Sequence, residues 1–563
     1  MRGFRGFGLL LAALLGMGAM STGARGQAVA PELQAASNFG QTWDAAVFEA
    51  ARAAGITALR DELHWDFAER DGELVFDHEI LTYPEKMAAA GMRLTLIALG
   101  EHPDHDGGAT PYTPEAVAAF ADFFAGVAAR YPAVVAVEIG NEMNSESFTE
   151  GPAREAGING RAGYYATILA ATARAVRAAR PDVRLIGGAA HSIPLAWFSA
   201  LSAAGAATEM EAVAFHPYTT PPEQLRRQVA LLREVPGFEA LPLELTEIGT
   251  KEPGAAPALL AKSWCQAALA GATTLAWYPL SPRGDGYVPL LAEDGRLTDV
   301  GRSWQMLKQF EGLRVTDAAP DPFTYGCRFG DRALLLWGAD RGVTVAEGLT
   351  VRDLAGRVVK APRLSRDTPL LITSEGLPPR LGETVHLGAQ QVVADSFDQF
   401  AYPGRSAGGF ARFVRVSGEA SGEIGGQEVP FILAPGQQED GVPWTPYLTT
   451  ARDGWLRMDA GFAQPSVWDG APAEIVHAFT APEAMAVSVE AEVAPGPESA
   501  AGVALTVRAG DRLLVETVVQ GPGRLTLPPV MLAAGEVLEI VLGPGASGEG
   551  SAEGYRFTLR RAG

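Results

Sequence analysis

From about Pro31 to Leu313, short apolar runs alternate with longer stretches whose apolar residues recur every three to four positions. Alternation of this kind is how parallel strands joined by crossover helices read. The strand candidates are Gln34–Phe39, Thr57–Arg60, Arg93–Leu99, Val134–Ile139, Val183–Gly187, Ala212–His216, Leu243–Glu247 and Thr274–Tyr278. Between the third and fourth, Val117, Phe120, Ala121, Phe124, Val127, Ala128 and Tyr131 fall on one face of a helix. Thr113 and Pro114 open it as N-cap and first-turn residues. Arg161–Arg180 repeats the pattern with Tyr165, Ile168, Leu169, Thr172 and Val176, and its alanines add helix propensity. Eight strands, each followed by a helix, fit the length of a (β/α)8 barrel. A doubly wound sheet would carry a glycine-rich phosphate turn after its first strand, and this chain shows no such turn.

After Leu313 the helical period fades. Ala333–Trp337 and Thr350–Asp353 read as strands between Gly and Asp turns, so residues 315–393 are expected to form a small β-sandwich. From residue 394 to residue 563 the chain is richer in Gly and Pro. Its strand runs Ala486–Val493, Val503–Val507, Leu513–Val519, Val537–Val541 and Tyr555–Leu559 predict a second sandwich. The fold class is therefore α/β: a (β/α)8 TIM barrel on residues 31–313 followed by two β-sandwich domains. Gly and Pro around residues 393–408 predict a junction at which the last sandwich can be cut away.

Composition changes the picture in three places. Arg2 and Arg5, the apolar run Phe7–Leu15 and the small residues around Ala24-Arg25-Gly26 have the layout of a secretory signal over residues 1–26. That run is too short to span a bilayer and no later one is long enough, so a secreted or periplasmic protein without a membrane span is expected. Removing the three arginines of this segment takes the formal charge from −21 to −24, which argues against nucleic acid or anionic lipid as partner. The two cysteines, Cys265 and Cys327, fall in different expected domains, so their pairing stays open; two cysteines make no metal site.

In barrels of this kind chemistry sits at the carboxyl ends of the strands. The fourth strand ends Val137-Glu138-Ile139-Gly140-Asn141-Glu142 and the seventh Leu243-Glu244-Leu245-Thr246-Glu247. Two carboxylates on separate strands can flank one glycosidic bond, one protonating the leaving oxygen while the other attacks the anomeric carbon or activates water. Other strand ends add Arg60, His102, His216-Pro217-Tyr218 and Trp277-Tyr278. By parity, Glu138 should point into the barrel, where Arg60 is a partner, and Glu244 should face the helices. His64, His102, His105 and His191 invite a metal reading, but a hydrophilic loop explains them as well, and neither a metal nor a cofactor is expected. Trp444, Tyr447, Trp455 and Trp468 are either core of the last sandwich or a carbohydrate-binding face.

This set, in this order, resembles clan A glycoside hydrolases over residues 31–313. Arg60-Asp61-Glu62-Leu63-His64-Trp65 followed by Gly72-Glu73-Leu74-Val75-Phe76, Phe215-His216-Pro217-Tyr218 with Pro222-Glu223, and Ala276-Trp277-Tyr278 with Gly284-Asp285-Gly286 are similar to family 39 and related family 5 members. The resemblance implies a retaining hydrolase of β-linked oligo- or polysaccharide, with Glu142 as acid/base and Glu247 as nucleophile. It further implies Asn141 as donor to the sugar, Arg60 and Tyr218 as partners of Glu247, and Trp277 as floor under the sugar. His102 and His216 are further candidates to shape the site. Glu142 is expected to be kept protonated by burial and neighbouring negative charge. Gly140 and Met143 depart from the usual Trp-Asn-Glu-Pro, which leaves the substrate class open. A non-catalytic polysaccharide-binding or assembly protein on the same barrel is the alternative.

Overall fold

The computed structural model describes residues 28–562 except 71, 406–407, 417–425, 427, 438–440, 498, 500 and 546–549. The expected signal segment lies outside them. The barrel strands are β1 (Glu32–Ala36), β2 (Ala58–Glu62), β3 (Arg93–Ala98), β4 (Val134–Ile139), β5 (Arg184–His191), β6 (Ala212–His216), β7 (Leu243–Ile248) and β8 (Ala272–Trp277). All neighbours pair in parallel, and β1 pairs with both β2 and β8, which closes the barrel. Each expected strand is present, with ends shifted by a few residues.

The helix expected after Thr113 spans Pro114–Arg130 and is capped by the Thr113 hydroxyl, which accepts from Ala116 N; its buried face includes Val117, Phe120, Phe124 and Val127. It packs on the helix Gly157–Ala179, which buries Tyr165, Ile168, Leu169, Thr172 and Val176. Inside the barrel, Ala136, Ile186, Ala212 and Ala214 form a small apolar layer. Polar side chains occupy the layer above it, towards the strands' carboxyl ends. No helix among the described residues is long and apolar enough to cross a membrane.

Glu244 corrects the parity argument. It is fully buried, its carboxylate lies 2.8 Å from Arg184 of β5, and it shares parity with Thr246, whose hydroxyl donates to Glu138 inside the barrel. It therefore faces inward. Counting back from Glu247 failed because β7 carries an extra residue there: Leu275 and Trp277, two apart, oppose Leu245 and Ile248, three apart. Such a bulge resets the alternation of side chains.

Beyond the barrel, Val315–Asp317, Thr324–Phe329, Ala333–Gly338, Thr350–Arg352 and Leu370–Thr373 form a five-stranded sheet. The pair Val343–Val345 and Val385–Leu387 packs with it around Leu334, Leu336, Val351 and Ile372. Phe329 stacks on Trp264 of the barrel helix Ala256–Ala270, and a disulfide joins Cys265 of that helix to Cys327. The pairing left open by the sequence is thus made between barrel and sandwich.

The last sandwich contains two antiparallel sheets, which include Met485–Pro495 and Ala552–Arg561 in one and Val503–Ala509, Arg512–Val519 and Val537–Gly543 in the other. Its junction with the preceding domain is not a linker. Val392–Asp395 is a strand paired with Ala552–Arg561, and the buried Asp395 and Asp398 pair with Arg366 at 2.8 and 3.0 Å and with Arg556 at 3.0 and 2.8 Å. Cutting after Val393 would divide this strand and strip Arg366 of both carboxylates, so the clean separability expected from Gly and Pro content does not follow.

Candidate active site

The open end of the barrel is organised around Arg60, the last inward-facing residue of β2 that burial leaves no water to satisfy. Its Nε donates to Glu138 at 2.6 Å, one terminal nitrogen to Glu247 at 2.7 Å and the other to Asn141 Oδ1 at 2.8 Å. A planar guanidinium can hold several acceptors at fixed angles, so one side chain ties β2 to the ends of β4 and β7. Glu247 is completed by the Tyr218 hydroxyl, which donates to its other oxygen at 2.6 Å. Burial alone would push Glu138 up, but Arg60 and His216 outweigh it and bring it down to about 2.

Glu142 lies at the end of β4 on a strained backbone, with φ 48. Gly140 before it has φ 80, and a Cβ there would meet the Tyr165 ring at 2.9 Å, which accounts for glycine at this position. Glu142 Oε1 is 2.8 Å from His216 Nδ1 and 3.1 Å from His191 Nδ1. Burial would raise this carboxyl, yet the hydrogen bonds from His191 and His216 outweigh it and hold it far below the usual carboxylate range. The expectation of a carboxyl kept protonated by burial is therefore corrected. His216 answers in the opposite sense: burial would lower it, but Glu138, Glu142 and the charge of Glu247 raise it to about 9.

The hydrogen-bond distances constrain the protons of this cluster. Glu138 is ionised, so the Thr246 hydroxyl must donate to it across their 2.7 Å contact. Thr246 has one proton to give, so its oxygen accepts from His216 Nε2 at 3.1 Å, and Nε2 carries hydrogen. The 3.4 Å approach of Arg60 to Nε2 then brings two donors together and is not a hydrogen bond. With Nε2 protonated, the short His216 Nδ1 to Glu142 contact can share one further proton, and the lowering of Glu142 with the raising of His216 favours its place on the imidazole.

The remaining expected residues divide. Asn141, His216 and Tyr218 join the cluster. His102 does not: it packs against Trp65 and His105, and its Nδ1 accepts from Asp104 N. Trp277 is fully buried, with its Nε1–H donating to Val288 O, so its ring offers no open face to a sugar. It is paired with Ala35 and shares parity with the core residue Leu275, which points it at the helix layer. The accessible aromatic wall is made by Tyr278 and Tyr287, 5.3 Å apart, with Tyr287 also 5.5 Å from Tyr218. The charges of both Glu247 and Glu142 contribute to raising Tyr287, after burial, which places it near the pair.

The histidines that invited a metal reading disperse: His64 lies by Glu62 and Asp66, His105 bonds Glu69 and stacks on Trp65, and His191 serves Glu142. Among the described residues no group of His, Cys, Asp and Glu is arranged to hold a metal ion. The aromatic residues of the last sandwich divide too. Trp468 and Tyr447 are buried, Trp455 is 67 % exposed, and Trp444 turns to the barrel, its ring 4.6 Å from that of His191. They form no single face.

Sequence reading did not single out Tyr287 or Thr246, and it named His191 and Trp444 without placing them beside Glu142. His191 was hidden because β5 was expected to stop at Gly187. The strand continues through Gly188 and Ala189, both at positive φ, to an inward-facing His191. A His four residues past the end of a strand candidate was the available signal.

No protein-family model matches the chain, and no curated protein does. Solved structures do. A GH39 β-xylosidase from Caulobacter crescentus is 18 % identical, with 62 % of this chain and 98 % of that one covered and a TM-score of 0.46. A monomeric β-xylosidase from Caulobacter crescentus CB15 is 14 % identical over 92 % of this chain and 98 % of that one, TM-score 0.44. A GH39 enzyme from Xanthomonas axonopodis pv. citri is 14 % identical over 92 % and 95 %, TM-score 0.42.

Proposed function

We propose that the protein is a retaining glycoside hydrolase in which Glu247 attacks the anomeric carbon and Glu142 delivers the proton to the leaving oxygen. One observation carries this reading: two carboxylates share one barrel mouth, one held by Arg60 and Tyr218 and the other by the imidazoles of His191 and His216. Glu247 has a short donor on each oxygen, Arg60 on one and Tyr218 on the other, which fixes its orientation. Glu142 faces an imidazole across a single shared proton. The first arrangement suits a fixed nucleophile, and the second a carboxylate that can draw a proton from its partner and pass it on.

Glycosylation would form the bond from Glu247 to the anomeric carbon as the glycosidic bond breaks, with the electron pair leaving on oxygen. The proton of the His216–Glu142 contact passes to the carboxyl and on to that oxygen. Water then attacks the glycosyl-enzyme, gives its proton back to Glu142, and frees Glu247. Asn141, with Oδ1 taken by Arg60, retains its amide nitrogen to donate to a sugar hydroxyl. Tyr278 and Tyr287 supply faces for the apolar side of the ring. The Cys265–Cys327 disulfide fits an exported enzyme, since such bonds persist in oxidising compartments.

The test is release of reducing ends from a panel of bacterial and plant β-linked polysaccharides, with the anomer of the first product read by NMR. Hydrolysis with retention is expected. Binding without cleavage on every substrate would favour the non-catalytic alternative, and an inverted product would remove Glu247 as nucleophile.

A further inference from the structure

We infer that the last sandwich builds the subsite for the leaving group, with Trp444 as its wall. This rests on the hydrolase reading above and adds to it where the departing part of the substrate sits. A cleft of about 1000 Å³ runs between the barrel and this sandwich, at the upper end of the ~300–1,000 Å³ of small-molecule sites. Ser145, Asn159 and Thr219 line it from the barrel, and Trp444, Arg457 and Asp459 from the sandwich.

Its position relative to the acid decides its role. Ser145 N donates to Glu142 O, and Trp444 stands edge-on to His191, whose Nδ1 contacts Glu142. The cleft thus adjoins the proton donor, and a group protonated by Glu142 departs on this side. Glu247 has its aromatic neighbours Tyr278 and Tyr287 elsewhere, on the loop after β8. The half-buried indole of Trp444 offers stacking surface, while Arg457 and Asp459 offer a donor and an acceptor for hydroxyls; that combination suits a sugar and exceeds what a small aryl group can use.

The sandwich segment is held in register by Gln437. Its side chain accepts from Asn144 Nδ2 at 2.7 Å and donates to Asn144 O at 2.7 Å, while Asn144 Oδ1 accepts from His191 N at 2.9 Å. Gln437 adopts φ 25, a conformation costly for a residue with a side chain, and this two-way bond offsets that cost. Leu195 N donates to Pro435 O just before it, so the segment is fastened at two points.

The experiment compares Trp444→Ala with the unaltered protein on a p-nitrophenyl glycoside and a tetrasaccharide of the sugar that the polysaccharide screen identifies. The loss of kcat/KM should be at least about tenfold greater on the tetrasaccharide than on the aryl glycoside, the difference falling in KM, as loss of an aromatic contact implies. Trp444→Phe should recover most of the tetrasaccharide activity. An unchanged ratio of the two substrates, or an equal loss on both, overturns the inference and leaves the hydrolase reading standing. Absence of turnover by the unaltered protein on any glycoside overturns the hydrolase reading and this inference with it.

Discussion

Arg60, Glu142, His216 and Glu247 make the residue-scale case, because each is defined by what the others donate. Replacing Glu247 by Ala removes the atom that would form the covalent bond, so activity should collapse on every substrate, good leaving groups included. Glu142→Ala should lose roughly 10²–10⁴-fold where the leaving oxygen is basic and little of the first step on dinitrophenyl glycosides. Azide should then yield the glycosyl azide of retained anomer from Glu142→Ala and of inverted anomer from Glu247→Ala, by NMR; exchanged outcomes would reverse the two roles. The shared proton makes a pH prediction. His216 rises from 6.5 to about 9 in the fold, so its contribution to stability is full below 6.5 and is lost as pH rises through 9. Glu142 is lowered from 4.5, so its contribution is present above 4.5 and is lost as pH falls. The kcat/KM profile should accordingly fall off near pH 9, where the pair loses its proton. In His216→Asn that limb should move down by more than a unit, to the pH at which Glu142 alone deprotonates; a limb that stays near 9 would assign the proton to another group.

At the scale of elements, the ends of β4 and β5 carry the strain that aims Glu142. Glu142, Ala189 and Ser192 all have positive φ, an arrangement kept only where surrounding contacts over-determine it. Gly188 is the pivot: it has φ 89, its N–H donates to no strand neighbour but to Tyr165 Oη at 2.8 Å, and a Cβ there would lie 2.9 Å from Val213 and 3.0 Å from Ala214 O. Gly188→Ala should therefore destabilise the fold by about 1–3 kcal/mol in denaturant melts and reduce activity by displacing His191. Stability loss with unchanged kcat would show that His191 is not held by this bulge. The sequence showed these strands clearly by their apolar runs, but irregularities such as this bulge and the extra residue in β7 left no trace in the pattern. They arise from close approach of neighbouring strands, which a single chain segment does not encode.

For the whole molecule, the domains act as one body. The disulfide between the barrel helix and the first sandwich closes a loop with a sequence separation of 62, and removing it by Cys265→Ala with Cys327→Ala should cost about 2–4 kcal/mol, seen as a lower Tm. Truncation after Val393 should give a poorly soluble, inactive product, because it exposes Arg366 without Asp395 and Asp398, severs Gln437 from Asn144 and removes Trp444. A soluble truncated barrel that hydrolyses aryl glycosides at the full rate would show the contact to be dispensable. Gly and Pro content suggested a linker here; those residues serve turns at a packed interface, and composition alone does not distinguish the two.

What the sequence by itself determined is the barrel and the places where chemistry could sit. Periodicity reports which face of each element is buried, and eight strand–helix repeats leave few ways to bury them all. Strand ends then locate Arg60, Asn141, Glu142, His216, Tyr218 and Glu247 at one mouth, as the structure also places them. Only the tertiary structure decided which side chains meet. Trp277 turned into the helix layer because of parity within a short strand, and His102 stayed in its own loop. His191 reached Glu142 from a strand extension, and Trp444 reached His191 from a domain about 250 residues further along the chain. The protonation of Glu142 was reversed for the same reason: burial is a local property that sequence hints at, whereas two imidazoles converging on one oxygen depend on the closure of the barrel.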